Sequence, residues 1–266
     1  MWFKIKVYLK FLWHSKNQYG IHSPFVFRLI TLCFYNKHYF KAYGIWSNAQ
    51  RKYLESKEVL EVKDLGVGSK FFIGNRRPVS KIAEHVSISK KRARLMIRIV
   101  DYLSVEKALE LGTSIGLGSF SIAGNGKTSL TTVEACRETS SFARQLFKSE
   151  GLENISAISS SFSEYLSGFG SSENLEQANS KDKFDLVFID AHHEGKITLN
   201  YFERLLAHKH NDSLFIFDDI HLSPSMEAAW EQIKVHKEVK VTIDTFQWGL
   251  VFFRQEQVKQ DFVIRI

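Results

Sequence analysis

The residues best suited to chemistry fall into two groups. In the first, Glu110 is followed by a turn rich in glycine (Gly112, Gly116, Gly118), and a second acid, Glu134, comes 24 residues after it. Glycine lets a backbone approach a bound ligand closely, and a carboxylate at the end of a strand can accept the hydroxyls of a ribose. In the second group, Asp190 closes the apolar run 184–189, and Asp218 and Asp219 close the run 213–217. Carboxylates at the ends of neighbouring parallel strands converge, and an all-oxygen ligand set favours Mg²⁺, Mn²⁺ or Ca²⁺. His193 stands three residues after Asp190 and can take a proton near neutral pH. His192 and His221 compete with it, as ligands or as plain polar loop residues. An acid such as Asp218 or Asp219 can also simply cap a turn.

These groups need a scaffold that brings strand ends together. From Lys107 onward, short apolar runs alternate with helical stretches. Strands are expected at 108–111, 129–134, 155–158, 184–190 and 213–217, with helices at 139–150, 162–166, 198–206 and 226–235. Strand–helix alternation with near-continuous apolar strands implies a parallel sheet covered on both faces. Two closely spaced strands, 239–244 and 249–253, predict an antiparallel hairpin at the C-terminal edge of the sheet. Upstream, a single long helix is expected over 79–102, and 41–78 reads as irregular apart from a short strand at 59–62. Residues 1 to about 40 read as helical, interrupted around Gly20–Pro24, with Ser23 capping a helix that starts at Pro24. The chain thus divides into an extension, 1–78, acting as substrate lid or dimer contact, and an α/β domain, 79–266.

The order acid-x-Gly-x-x-x-Gly-x-Gly over Glu110–Gly118 lacks the third glycine of a dinucleotide fingerprint. It resembles instead the first motif of class I S-adenosylmethionine-dependent methyltransferases. The resemblance covers about 150 residues, 107–254, and implies a Rossmann-like sheet, mostly parallel, with helices on both faces and a helical N-terminal extension. It implies that Glu110, Gly112, Thr113, Ser114 and Gly116 line the amino-acid end of the cofactor. Glu134 and Ala135 would hold the ribose, Ser161 and Phe162 the adenine, and Asp190 would also contact the cofactor. The serine run Ser159–Ser161 departs from the Gly or Asp common there. A rival turn, Asp64–Ser69, is followed by no strand ending in an acid at the right distance and reads as a loop or lid.

Asp190 with Asp218-Asp219 further resembles the metal-dependent O-methyltransferases, the macrocin type more closely than the catechol type. That implies Asp190, Asp218 and Asp219 as metal ligands. Catechol-type enzymes place a lysine base where this chain has His193, so the resemblance breaks at the catalytic residue, and His193 with Asp190 becomes the expected catalytic pair. The motif Ile21–Phe27 resembles an extension in bacterial members of the superfamily. The expected activity is methylation of a hydroxyl on a small molecule, with S-adenosylmethionine as cofactor and Mg²⁺ assisting. Aminopropyl transfer on the same fold and a non-catalytic module binding RNA or lipid are the alternatives.

The net charge of +7 is weighted toward the N-terminal side, at Lys4, Lys6, Lys10 and Lys16 and again from Arg76 to Arg94. A basic surface suits nucleic acid, anionic lipid or acidic ligands. Asp190-Ala191-His192-His193 is not the Asn/Asp-Pro-Pro-Tyr of base N-methylation, which disfavours nucleic acid. Trp2, Ile5, Leu9 and Leu12 can share a helical face; peripheral membrane contact through residues 1–13 is weighed against packing on the body or on a second subunit of a homodimer, and packing is favoured. Two cysteines suggest reduced thiols and a cytoplasmic protein.

Overall fold

A computed structural model describes residues 2–63, 72, 74–168 and 183–266. The Asp64–Ser69 turn and all but the first two residues of the polar loop expected at 167–182 lie outside the described residues. The chain divides into two compact units, 36–165, and 1–35 with 166–266.

In the unit 36–165, helix α3 (Lys41–Leu54) precedes a two-stranded antiparallel ribbon, β1 (Val59–Glu61) with β2 (Arg76–Pro78). Residues 41–54, expected to be irregular, are helical because Tyr43, Trp46, Ala49 and Tyr53 recur at helical spacing and are buried. Gly44 masks that periodicity in the sequence. The single helix expected at 79–102 is two, α4 (Val79–His85) and α5 (Lys90–Tyr102). The break comes where the Ser89 hydroxyl accepts the Arg92 amide at 3.4 Å and starts a new helix. Strands β3 (Lys107–Leu111), β4 (Ser129–Glu134) and β5 (Ile155–Ser159) then pair in parallel, in register Leu109↔Thr131 and Thr132↔Ala157. Helices α6 (Leu117–Ala123) and α7 (Arg137–Ser149) connect them, and α8 (Phe162–Ser167) follows β5.

The second unit opens with α1 (Trp2–His14) and α2 (Pro24–Arg28), which runs on into a wider helical turn, 29–34. Ser23 caps α2 as expected, accepting from the Val26 amide. Strands β6 (Leu186–Ile189) and β7 (Leu214–Asp218) are parallel and fully buried, as their uninterrupted apolar sequences require. Helices α9 (Gly195–Leu205) and α10 (Pro224–Val235) accompany them. The hairpin of β8 (Val241–Asp244) and β9 (Trp248–Phe252) is antiparallel, and β9 pairs with β7. The hairpin is not the edge: β10 (Gln260–Val263) adds in parallel beside β8. Four residues with Gln260 and Asp261 among them carry too weak an apolar pattern to be read as a strand.

The strand orders are β3-β4-β5 in the one unit and β10-β8-β9-β7-β6 in the other, and the pairing is mostly parallel, as in an α/β sheet. Strand ends at the carboxyl side are therefore where a ligand is expected. Cys33 and Cys136 are buried thiols. Among the described residues no helix is long and apolar enough to cross a membrane.

Candidate functional site

The glycine turn sits between β3 and α6. Gly112 and Gly116 both adopt positive φ, +108° and +89°, which side-chain-bearing residues avoid. At Gly116, the N-terminal boundary of α6, there is also no room: a Cβ there would lie 2.8 Å from the Phe147 ring. Ser114 is left-handed as well, at φ +49°, and this turns its amide toward Glu134 Oε2, 2.8 Å away. Glu134 Oε1 accepts the Cys136 amide at 2.9 Å. One carboxylate thus joins the turn after β3 to the turn after β4, and it is only half-buried. Ala135 beside it is also partly open. The Ser160 amide donates to the Glu134 carbonyl at 3.1 Å, which brings 160–162 alongside. There Ser161 caps α8 by accepting the Glu164 amide, and Phe162 is buried.

Glu110 has a different setting. It is fully buried, and its carboxylate accepts the hydroxyls of Ser119 and of Thr132, the latter at 2.6 Å. Thr113 and Thr132 hydroxyls hydrogen-bond at 2.5 Å. The acid therefore ties β3, β4 and α6 together beneath the turn.

Two residues that the sequence reading passed over hold the same turn from outside. Tyr53 donates its hydroxyl to the Ile115 carbonyl at 2.7 Å, and Trp46 its indole N–H to the Leu117 carbonyl at 3.0 Å. Both come from α3. Burial, reinforced by the charges of Glu150 and Glu58, raises the Tyr53 pKa, so the phenol stays a donor. Their helical spacing was the available signal; nothing in it names the partner.

The second group is also assembled. Ligand atoms of Asp190, His193 and Asp218 lie within 4.8 Å of one another. Asp190 follows β6 and Asp218 ends β7, so the parallel register Ile189↔Phe217 sets them side by side. His192, His193 and Asp219 all take positive φ, a concentration of sparsely populated backbone typical of sites. His193 Nε2 faces Asp190 Oδ1 at 3.3 Å. Burial, the largest single influence, pushes the His193 pKa down. The hydrogen bond with Asp190 and the charges of Asp190, Asp218 and Asp219 together outweigh it and raise the pKa to about 9. Asp219 acts on His193 by its charge and stands outside the three-residue cluster. His192 is held by the Tyr201 hydroxyl at 3.0 Å, and His221 by Asp244 at 2.8 Å, so both have structural partners.

Comparison with known proteins agrees with this fold. Residues 109–220 match a family model described as a methyltransferase domain. No curated protein sequence matches the chain. Among solved structures, the chain is similar to the O-methyltransferase TomG from Streptomyces achromogenes, solved with S-adenosylmethionine, at 15% identity, covering 85% of this chain and 95% of that one, TM-score 0.55. A methyltransferase from Podospora anserina bound to S-adenosylhomocysteine is similar at 14% identity over 89% and 98% of the two chains, TM-score 0.55. An O-methyltransferase from Bacillus cereus, also with S-adenosylhomocysteine, is similar at 14% identity over 83% and 94%, TM-score 0.51. The fold is the Rossmann-like one of class I O-methyltransferases, and the segment 109–220 carries the match to a methyltransferase domain.

Proposed function

We propose that the protein transfers a methyl group from S-adenosylmethionine to a hydroxyl of a small molecule, assisted by a divalent cation. The observation that carries this reading is the convergence of Asp190, His193 and Asp218, a set that pairs cation-binding carboxylates with a proton acceptor. Solved relatives of this fold hold S-adenosylmethionine or its demethylated product, and Glu134 is placed to serve such a cofactor. Each of its oxygens accepts one backbone N–H, from Ser114 and from Cys136, which fixes the carboxylate between the turns after β3 and β4. Gly112, Thr113, Ser114 and Gly116 shape the wall for the amino-acid end, and Ala135, Ser161 and Phe162 the adenine side. Glu110, enclosed as it is, acts by fixing that turn.

Asp190 and Asp218, with Asp219 next to them, form a donor set of hard oxygens suited to Mg²⁺ or Mn²⁺. A cation held there would lower the pKa of a ligating hydroxyl. The same carboxylates hold a proton on His193, so neutralising their charge frees the imidazole to act as a base. Because Nε2 is turned to Asp190, Nδ1 is the nitrogen left to receive the acceptor's proton, and Asp190 fixes the ring's orientation.

Calorimetric titration with S-adenosylhomocysteine, followed by thermal shift with Mg²⁺ and Mn²⁺, tests the two halves separately. Saturable heat with the nucleoside, and a metal-induced stabilisation abolished by D218N, are the expected results. A nucleoside titration without heat overturns the methyl-transfer reading. Unchanged metal response in D218N overturns the cation site.

A further inference from the structure

Helix α1 has two faces. Val7 and Phe11 point inward and are buried. The rings of Phe11 and Tyr8 rest on Phe246, with centroids 5.4 and 4.8 Å away. Just past the helix, the Lys16 amide bonds the Val263 carbonyl at 2.8 Å. The helix is thereby anchored on one side only. Its other side carries Trp2 (81% exposed), Ile5 (44%), Leu9 (61%) and Trp13 (87%). At 100° per residue, Trp2, Leu9 and Trp13 line up along one ridge, with Lys6 and Lys10 flanking one side, while Lys4 falls on the opposite face near Phe11.

The charge of the whole chain concentrates here. Residues 1–35 contain five Lys and Arg and no acid, while the remaining 231 carry 31 Lys and Arg against 29 Asp and Glu. Most of the net positive charge is therefore N-terminal. Among the described residues, eight of fourteen exposed large hydrophobic side chains also fall within residues 2–35, so apolar exposure and positive charge coincide. A free protein surface rarely leaves such a patch uncovered. Protein–protein interfaces are poor in lysine. Tryptophan on a ridge with lysines along one flank matches the interface of an anionic bilayer, where indoles sit at headgroup depth and lysine stems snorkel to phosphates. Thirteen residues of helix span about 20 Å, too short to cross a bilayer.

We infer that α1 lies in the plane of an anionic membrane surface, inserting Trp2, Leu9 and Trp13 while Lys6 and Lys10 meet lipid phosphates. The protein is then a peripheral membrane protein, anchored through the unit that carries the Asp190–His193–Asp218 cluster.

The test is co-sedimentation of the full chain with vesicles of phosphatidylcholine alone or mixed with phosphatidylglycerol, at low and high salt. Binding is expected only to the anionic vesicles, weakening as salt rises. K6Q/K10Q should bind about 25-fold more weakly, roughly fivefold per lysine. W2A/W13A should lose about tenfold or more through the lost apolar insertion. All these side chains are exposed, and unchanged circular dichroism and thermal unfolding of both variants verify folding independently of whether methyl transfer is the activity. Three results overturn the inference: no vesicle binding by the parent chain, a dimer that W2A/W13A converts to monomer with no lipid affinity in either, or retention on RNA with indifference to lipid.

Discussion

Replacing Gly116 with alanine probes the glycine turn through two separable effects. The position has φ +89°, and an added Cβ would lie 2.8 and 2.9 Å from Phe147 ring carbons. Left-handed backbone costs a side-chain-bearing residue about 1–2 kcal/mol. Forcing a methyl against a packed ring costs about 1–3 kcal/mol more. G116A should therefore lose roughly 2–5 kcal/mol, or about 5–15 °C in melting temperature for a chain of this size. The F147A background separates the terms. Phe147 is buried, so F147A is itself destabilising, but it removes the atoms that Cβ would strike. In that background G116A should cost only the backbone share, about 1–2 kcal/mol, giving a coupling of about 1–3 kcal/mol in a double-mutant cycle. Denaturant unfolding of the four proteins, with S-adenosylhomocysteine titration alongside, measures both stability and the turn's fitness for ligand. Equal costs of G116A in the two backgrounds would refute the steric argument. A cost under about 0.5 kcal/mol in both would refute the backbone argument as well.

Other outcomes follow from single contacts. E134A removes a charged acceptor from the Ser114 and Cys136 amides and from the proposed ribose, and should weaken S-adenosylhomocysteine binding by roughly 10- to 100-fold in calorimetry; full affinity in E134A would remove Glu134 from the site. W46F and Y53F each delete one donor to the turn and should cost about 1 kcal/mol of stability with a measurable loss of nucleoside affinity; stability loss with affinity intact would make them purely structural. In metal-free protein His193 holds its proton up to about pH 9, against 6.5 for an ordinary histidine. A raised pKa stabilises fully below 6.5 and ceases to do so as pH climbs through 9. H193N should therefore cost about 1–3 kcal/mol at pH 6 and little at pH 10 in chelator-treated samples; a pH-independent cost contradicts the ion-pair account.

The legible parts of this protein are those whose meaning is local. Glu134, Gly112 and Gly116 could be picked out because residue type, strand end and spacing all speak together, and the same holds for Asp190 and Asp218. The burial of Glu110 was not legible, since it depends on Ser119 and Thr132 folding back over it. Nor was the role of α3: Tyr53 and Trp46 reach carbonyls 62 and 71 residues away, and aromatic side chains at helical spacing look the same whether they fill a core or grip a loop. Strand β10 escaped because its pairing with β8, not its composition, makes it a strand. The outward direction of Trp2 and Trp13 needed the position of Phe246, which decides which face of α1 is satisfied.

The grip of α3 has a consequence for where this domain can be cut. The segment that matches the methyltransferase model begins at Leu109, yet two of the hydrogen bonds that hold its glycine turn come from Trp46 and Tyr53, more than fifty residues earlier. Trimming the chain to the recognisable portion, or transplanting that portion into another scaffold, would leave the carbonyls of Ile115 and Leu117 without these donors. What looks like an appendage in front of the domain is one wall of its mould.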